Sequence, residues 1–152
     1  MNKKGVTLIE LIVVMVIIAI GAILVAPNIG AWLPNYRLRS AVRDITSTMR
    51  TAQMKAVSQN TQYRVSLNSD DTGGLNNNNS YVLQRSSGGG WVNDGVVQAL
   101  PKGITIASNT ISDKRAVFNP NSTSSSGTIT LTNTKNQKSI ILNAATARIR
   151  IQ

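Results

Sequence analysis

The 152-residue chain contains no cysteine and no histidine. Without cysteine there is no disulfide framework, no thiolate nucleophile and no cysteine metal site, and the redox compartment is left unread. Without histidine, the usual general base and the commonest metal ligand are missing. Glutamate occurs once, as Glu10, and the other acids are five scattered aspartates. Aromatic residues make up only 4% of the chain, which argues against a stacking platform for single strands. No glycine-rich phosphate loop, Ser/His/Asp set or metal-ligand cluster occurs. The chain therefore reads as a non-enzyme with no cofactor and no metal.

Positive charge is plentiful. Sixteen Lys plus Arg against six acids give a net charge of +10 and a pI near 10.8. Such a balance points to an acidic partner: nucleic acid, anionic lipid or a negative face of another protein. The length fits one modest domain with an appended segment.

Apolar residues are concentrated at one end. Residues 6–26 form an apolar run whose only charge is Glu10. As a helix the run spans roughly 31 Å, about the thickness of a bilayer core. Lys3 and Lys4 precede it, so the positive-inside rule keeps them in the cytoplasm and exports the chain beyond Ala26. That exported part, residues 28–152, carries fourteen Lys plus Arg against five Asp, a net charge of +9. A secretory signal peptide fits poorly, because the run is long, holds a glutamate and ends at Ala26-Pro27 rather than at an A-x-A site. A plain membrane anchor leaves Glu10 unexplained. A carboxylate deep in a bilayer costs about 2.5–3.5 kcal/mol on insertion scales and needs a partner. The apolar helix itself has no basic residue within a turn or two of it. The new N-terminus of another processed copy could supply the cation.

The run Lys3-Lys4-Gly5-Val6-Thr7-Leu8-Ile9-Glu10, followed by the apolar helix, resembles the class III signal of type IV pilins and type II secretion pseudopilins. By this resemblance residues 1–5 are a leader, residues 6–26 a transmembrane and assembly helix, and residues 27–152 an exported domain. A prepilin peptidase would cut between Gly5 and Val6 and methylate the new amine of Val6, where the family usually has Phe. Glu10 would pair with the N-terminal amine of a neighbouring subunit, so that only the assembled state removes the penalty of a buried charge. Gly5 would be small for the protease, with no packing role. Pro27 falls where the family often places a helix-kinking proline.

Pro27, Gly30 and Pro34 are expected to loosen the helix, and Trp32 and Tyr36 to act as interfacial anchors. A helical period then resumes, with Leu38, Val42, Ile45, Met49, Ala52 and Ala56 within about 40° of one line, a stripe expected to pack on a sheet. Arg39, Arg43 and Arg50 form a second stripe roughly 100–140° round. It reads as a solvated flank or as a surface for filament neighbours or polyanions. Eight short β-rich runs come next: 62–67, 81–85, 96–100, 104–107, 116–118, 128–132, 139–142 and 148–151. Residues 68–80, 86–90 and 119–127 separate them as turns. The fold class expected is α+β, a long N-terminal helix packed on antiparallel sheet.

Phe118-Asn119-Pro120, Gly127-Thr128-Ile129-Thr130-Leu131, Ser139-Ile140-Ile141-Leu142-Asn143 and Ala147-Arg148-Ile149-Arg150-Ile151 resemble the GspH/FimT domain of minor pseudopilins and minor pilins. This resemblance implies a type IV pilin-like fold and a subunit of a type IV pilus or type II secretion filament. The alternatives are a pseudopilus tip subunit with no DNA-binding role, or a major pilin. The absence of the C-terminal disulfide of many major pilins makes the last less favoured. The subunit would sit in the bacterial inner membrane, single-pass, in contact with lipid before assembly, and later in a periplasmic or cell-surface filament. Its partners would be other pilin subunits and the peptidase.

In the last run Ala147, Ile149 and Ile151 should face inward, and Arg148 and Arg150 outward about 6.8 Å apart. Two guanidinium groups at that spacing could each donate bidentate hydrogen bonds to neighbouring phosphates. FimT-type members that act in natural transformation use a Gly-Arg-x-Arg motif, so the resemblance implies double-stranded DNA as a further partner. Ala147 here replaces the glycine. The plainer alternative is a pair of solvent-face arginines that discourage aggregation of an edge strand. Weaker signals are a faint calcium-loop spacing at Asn68, Asp70, Thr72 and Gly73, with Asn79 where a glutamate would be needed. Asp70-Asp71 reads as a solvated turn. Trp91 fits the core or an exposed contact equally well.

Overall fold

The computed structural model describes residues 5–25, 29–67, 71 and 79–152. It forms two compact units, residues 1–33 and 34–152, each described by itself.

In the first unit, helix α1 spans Leu8–Val25. Thr7 caps it: its Oγ1 accepts a 3.4 Å bond from the Glu10 N–H. Threonine at the cap with glutamate three residues on is a capping-box pattern. Glu10 thus lies in the first helical turn, where the helix dipole favours negative charge. The apolar side chains of α1 are exposed along its length, from Leu8 to Ile23. Among the described residues no helix is long and apolar enough to cross a membrane. The 18 residues of α1 rise about 27 Å against a core of about 30 Å. Pro27 lies outside the described residues.

Helix α2 spans Ile29–Ser58 and runs through Pro34. The proline removes one hydrogen-bond donor without ending the helix, and the boundary between the two units falls at Leu33/Pro34. The whole predicted stripe Leu38, Val42, Ile45, Met49, Ala52 and Ala56 is buried, joined by Ala41. It packs in one core with residues from two antiparallel sheets.

The first sheet holds β1 (Tyr63–Ser66), β2 (Ser80–Ser87), β3 (Gly90–Asn93), β4 (Gln98–Ala99) and β6 (Arg115–Phe118), in the order β3-β2-β1-β6 with β4 beside β2. The second holds β5 (Thr105–Asn109), β7 (Gly127–Thr132), β8 (Gln137–Leu142) and β9 (Ile149–Ile151), in the order β5-β7-β8-β9. The core side chains are Tyr63, Val65 and Phe118 from the first sheet and Ile129, Leu131, Ile140 and Leu142 from the second. This is the expected α+β arrangement.

Two strands differ from expectation. Residues 86–90, expected as a turn, lie in the β2–β3 hairpin, whose bend narrows to Gly88 and Gly89 at φ +59° and +89°. Positive φ at two central residues suits the tight turns that join twisted strands. The expected strand 96–100 shrinks to Gln98–Ala99, and Val96 is exposed in the preceding loop. Asn35 of α2 clasps the β7–β8 turn, its Oδ1 accepting from Asn133 Nδ2 at 3.2 Å and Asn136 Nδ2 at 2.6 Å.

Candidate cationic interface

Strand β9 is the outer strand of the second sheet and, among the described residues, pairs with β8 alone, with Ile151 opposite Ile140, Arg150 opposite Ile141 and Ile149 opposite Leu142. Ser139 and Gln152 exchange both backbone bonds, at 2.9 and 3.0 Å, and the Asn143 N–H donates to the Arg148 carbonyl at 3.1 Å. Residues 148, 150 and 152 therefore turn their backbone toward β8. By the antiparallel alternation, Ile149 and Ile151 turn theirs toward the open edge.

Arg148 and Arg150 are both exposed, as the alternation predicts, although Arg148 stands just ahead of the strand proper. Ala147 is buried and Ile149 half-buried, but Ile151 stays 47% exposed. Ile151 shares a cleft with Val42 rather than being covered by it. Ala147 adopts φ +45°. The left-handed backbone that a glycine would take freely is kept here by an alanine.

The cleft beside β9 has a volume of about 330 Å³ and is lined by Arg39, Val42, Arg43, Lys138 and Ile151. A neighbouring hollow of about 260 Å³ shares Arg39 and Lys138 and adds Asn35, Leu38, Asn136 and Gln137. Among the described residues neither lining includes an acid. The α2 arginine stripe thus runs alongside the open edge. Arg50 is exposed but does not line the cleft. Sequence reasoning missed Lys138. The signal was present: it shares the register of Ile140 and Leu142 on β8, so period two turns it toward the helix. Among the described residues, the ion pairs are Lys55–Asp94, Arg64–Asp71 and Arg115–Asp71, and none involves the five cations around β9.

The other flank of α2 is chemically different. A cleft of about 300 Å³ there includes Ser47, Thr51, Lys55, Tyr81 and Asp94. Its ions are already paired, with Lys55 Nζ 2.7 Å from Asp94 Oδ2.

On the outer face of the first sheet Asp71 joins Arg64, Arg115 and Ser66. Arg64 also donates to Gln84 at 2.6 Å and lies 4.2 Å from the ring centre of Trp91. Trp91 is therefore neither core nor bare surface but a stacking partner for a buried guanidinium. Burial pulls the Arg64 pKa down, against the charge of Asp71. Burial alone would raise the Asp71 carboxyl, but hydrogen bonds from Arg115 and Ser66 and the two arginine charges hold it below its ordinary value. The expected solvated turn at Asp71 is corrected: it is an ion-paired anchor. The remaining residues of the faint calcium-loop pattern, Asn68, Asp70, Thr72 and Gly73, lie outside the described residues.

At the N-terminus, Gly5 and Val6 precede α1 and are exposed. Among the described residues, a Cβ added at Gly5 would meet nothing within 4 Å.

A helix laid on antiparallel sheet behind an N-terminal apolar helix defines a pilin-like protein of the minor pilin and pseudopilin class. Residues 1–26 match the prokaryotic N-terminal methylation motif, and residues 41–146 match the family described as type II transport protein GspH. The chain belongs to the GspH family. Among solved structures it is similar to the type IV minor pilin FimU of Pseudomonas aeruginosa, with a TM-score of 0.60 at 16% identity over 78% of this chain and 90% of that one. It is similar also to the minor pseudopilin EpsH of the Vibrio cholerae type 2 secretion system, with a TM-score of 0.59 at 8% identity over 76% of this chain and 96% of that one. At these identities the likeness shows the fold. A search of curated protein sequences finds no significant match.

Proposed function

We propose that this minor pilin or pseudopilin is cut by a prepilin peptidase between Gly5 and Val6 and methylated on Val6. It then waits in the bacterial inner membrane through its N-terminal helix and joins a periplasmic or cell-surface filament through that helix. The supporting observation is a helix with exposed apolar side chains whose lone charge, Glu10, sits in its first turn. So large an apolar surface needs lipid or neighbouring helices to cover it.

We further propose that the exported unit receives double-stranded DNA on Arg148 and Arg150, as a contribution to uptake in natural transformation. The observation that carries this reading is a pair of exposed arginines, Arg150 on an edge strand and Arg148 just ahead of it, that make no ion pair among the described residues. Such binding is driven by phosphate contacts, weakly sequence-specific and salt-sensitive. The test is mobility shift of a short duplex by the full chain in neutral detergent at two salt concentrations. Changing both arginines to Gln lowers affinity and flattens the salt slope by about 0.9 for each phosphate no longer neutralised. Unchanged affinity rejects these residues as the site and favours a pseudopilus subunit with no DNA-binding role.

A further inference from the structure

The free edge of β9 and the cleft beside it adjoin the two arginines of the DNA reading and extend beyond them. Its backbone is unsatisfied in a defined way: Ile149 and Ile151 present their N–H and C=O groups outward, while their neighbours bond to β8. The adjoining cleft has an apolar floor in Val42 and Ile151 and a cationic wall in Arg39, Arg43 and Lys138. At about 330 Å³ it admits side chains but not a duplex. Half-exposed Ile151 has no phosphate to serve.

We propose that β9 is a docking strand for an extended acidic segment of another filament subunit, which adds to the second sheet as a further strand. Backbone pairing to Ile149 and Ile151 would provide affinity, and alternate side chains of the incoming segment would provide specificity. Those on the α2 side enter the cleft and meet Arg39, Arg43 and Lys138. Those on the other side pass Arg148 and Arg150. Open edges invite indiscriminate pairing, and charge is the usual guard. Here the guard selects the partner. A second copy of this chain, +8 after loss of residues 1–5, is repelled, and an acidic strand is drawn in.

The test uses the full chain in neutral detergent and a fluorescent synthetic peptide of alternating Glu and Val, seven residues long. Saturable binding is expected, with none for the matching Lys and Val peptide. R39Q/R43Q/K138Q weakens it about tenfold, as three partly exposed ion pairs of roughly half a kcal/mol each imply. All three side chains lie at the surface, and a thermal melt checks that the variant is folded. Two further peptides carry backbone N-methyl groups, one on every Glu and one on every Val; the one whose amides face β9 loses binding. Retained binding by both overturns strand pairing and leaves bare charge attraction. Unchanged affinity in the triple variant overturns the cleft. Self-association of the chain that the peptide displaces overturns the choice of partner. No peptide binding, together with DNA binding that the triple variant loses, assigns the cleft to nucleic acid instead. R148Q/R150Q tests the DNA reading separately, so either proposal can fail alone.

Discussion

Arg115 grips Asp71 at two points, with Nε 2.7 Å from Oδ2 and Nη2 3.3 Å from Oδ1. Arg64 reaches the same carboxylate from the other side at 3.2 Å. The side chain of Asp71 is 14% exposed and that of Arg64 10%, so one carboxylate balances two guanidinium groups largely out of water. Replacing Asp71 by Asn removes the negative charge that Asp71 supplies to both guanidinium groups. A loss of about 3 kcal/mol is expected at neutral pH, the lower end for breaking a buried pair. The folded carboxyl sits below its ordinary value, so this stabilisation is present above the unfolded value of about 4 and is lost as pH falls through the folded one. Thermal melts should therefore show a wide gap between wild type and Asp71→Asn at pH 7 that narrows at pH 3. A gap of equal size at both pH values would show that the carboxylate charge is not the cause.

Gly127 opens β7 at φ +151°, and a Cβ there would lie 2.7 Å from Ile111 Cγ1 and 2.9 Å from the Ile111 backbone nitrogen. Ile111 is buried and its backbone cannot withdraw cheaply. Gly127→Ala should lose about 1–3 kcal/mol through overpacking, with added backbone strain. A denaturant midpoint equal to wild type would contradict that close approach.

The helix stripe and most strands are legible in the sequence because each lies on a local period that burial on one face imposes. Leu38 to Ala56 repeats at helical spacing and is buried throughout. Residues 128–132 alternate, residues 139–142 are a short run rich in apolar side chains, and the two form the heart of β7 and β8. The features that escape depend on contacts between distant residues. Asp71 looks solvated in the sequence because its partners Arg64 and Arg115 are 7 and 44 positions away. Lys138 draws no notice there because Arg39 and Arg43 reach it only when α2 lies across β8. Thr7 and Glu10 fit a processing signal so well that it hides their role as a helix cap, although their spacing states it.

Ala147 combines φ +45° with complete burial, so two opposing effects act on one methyl group. The left-handed conformation costs an alanine about 1–2 kcal/mol, and burying the methyl returns about 0.8. Ala147→Gly should therefore melt within about 1 kcal/mol of wild type despite removing a core atom. Ala147→Val adds volume and branching at a conformation that β-branched residues avoid, and should cost about 2 kcal/mol or more. If Gly proved as damaging as Val, backbone strain at this site would be ruled out.

Glu10 has two separable properties, its charge and its place in the cap. The Thr7 hydroxyl accepts from the Glu10 backbone N–H, a bond that survives any side chain at position 10. Glutamine suits the third position of a capping box as glutamate does, whereas alanine offers no side-chain acceptor there. Glu10→Gln therefore keeps the helix start and removes the charge, and Glu10→Ala removes both. If assembly depends on pairing the carboxylate with the N-terminal amine of a neighbouring subunit, both variants should enter the membrane and both be missing from sheared filaments. Membrane fractionation and immunoblotting of filaments would read the two steps. Should Glu10→Gln assemble normally while Glu10→Ala does not, the residue would act by starting the helix, and charge neutralisation between subunits would have to be abandoned.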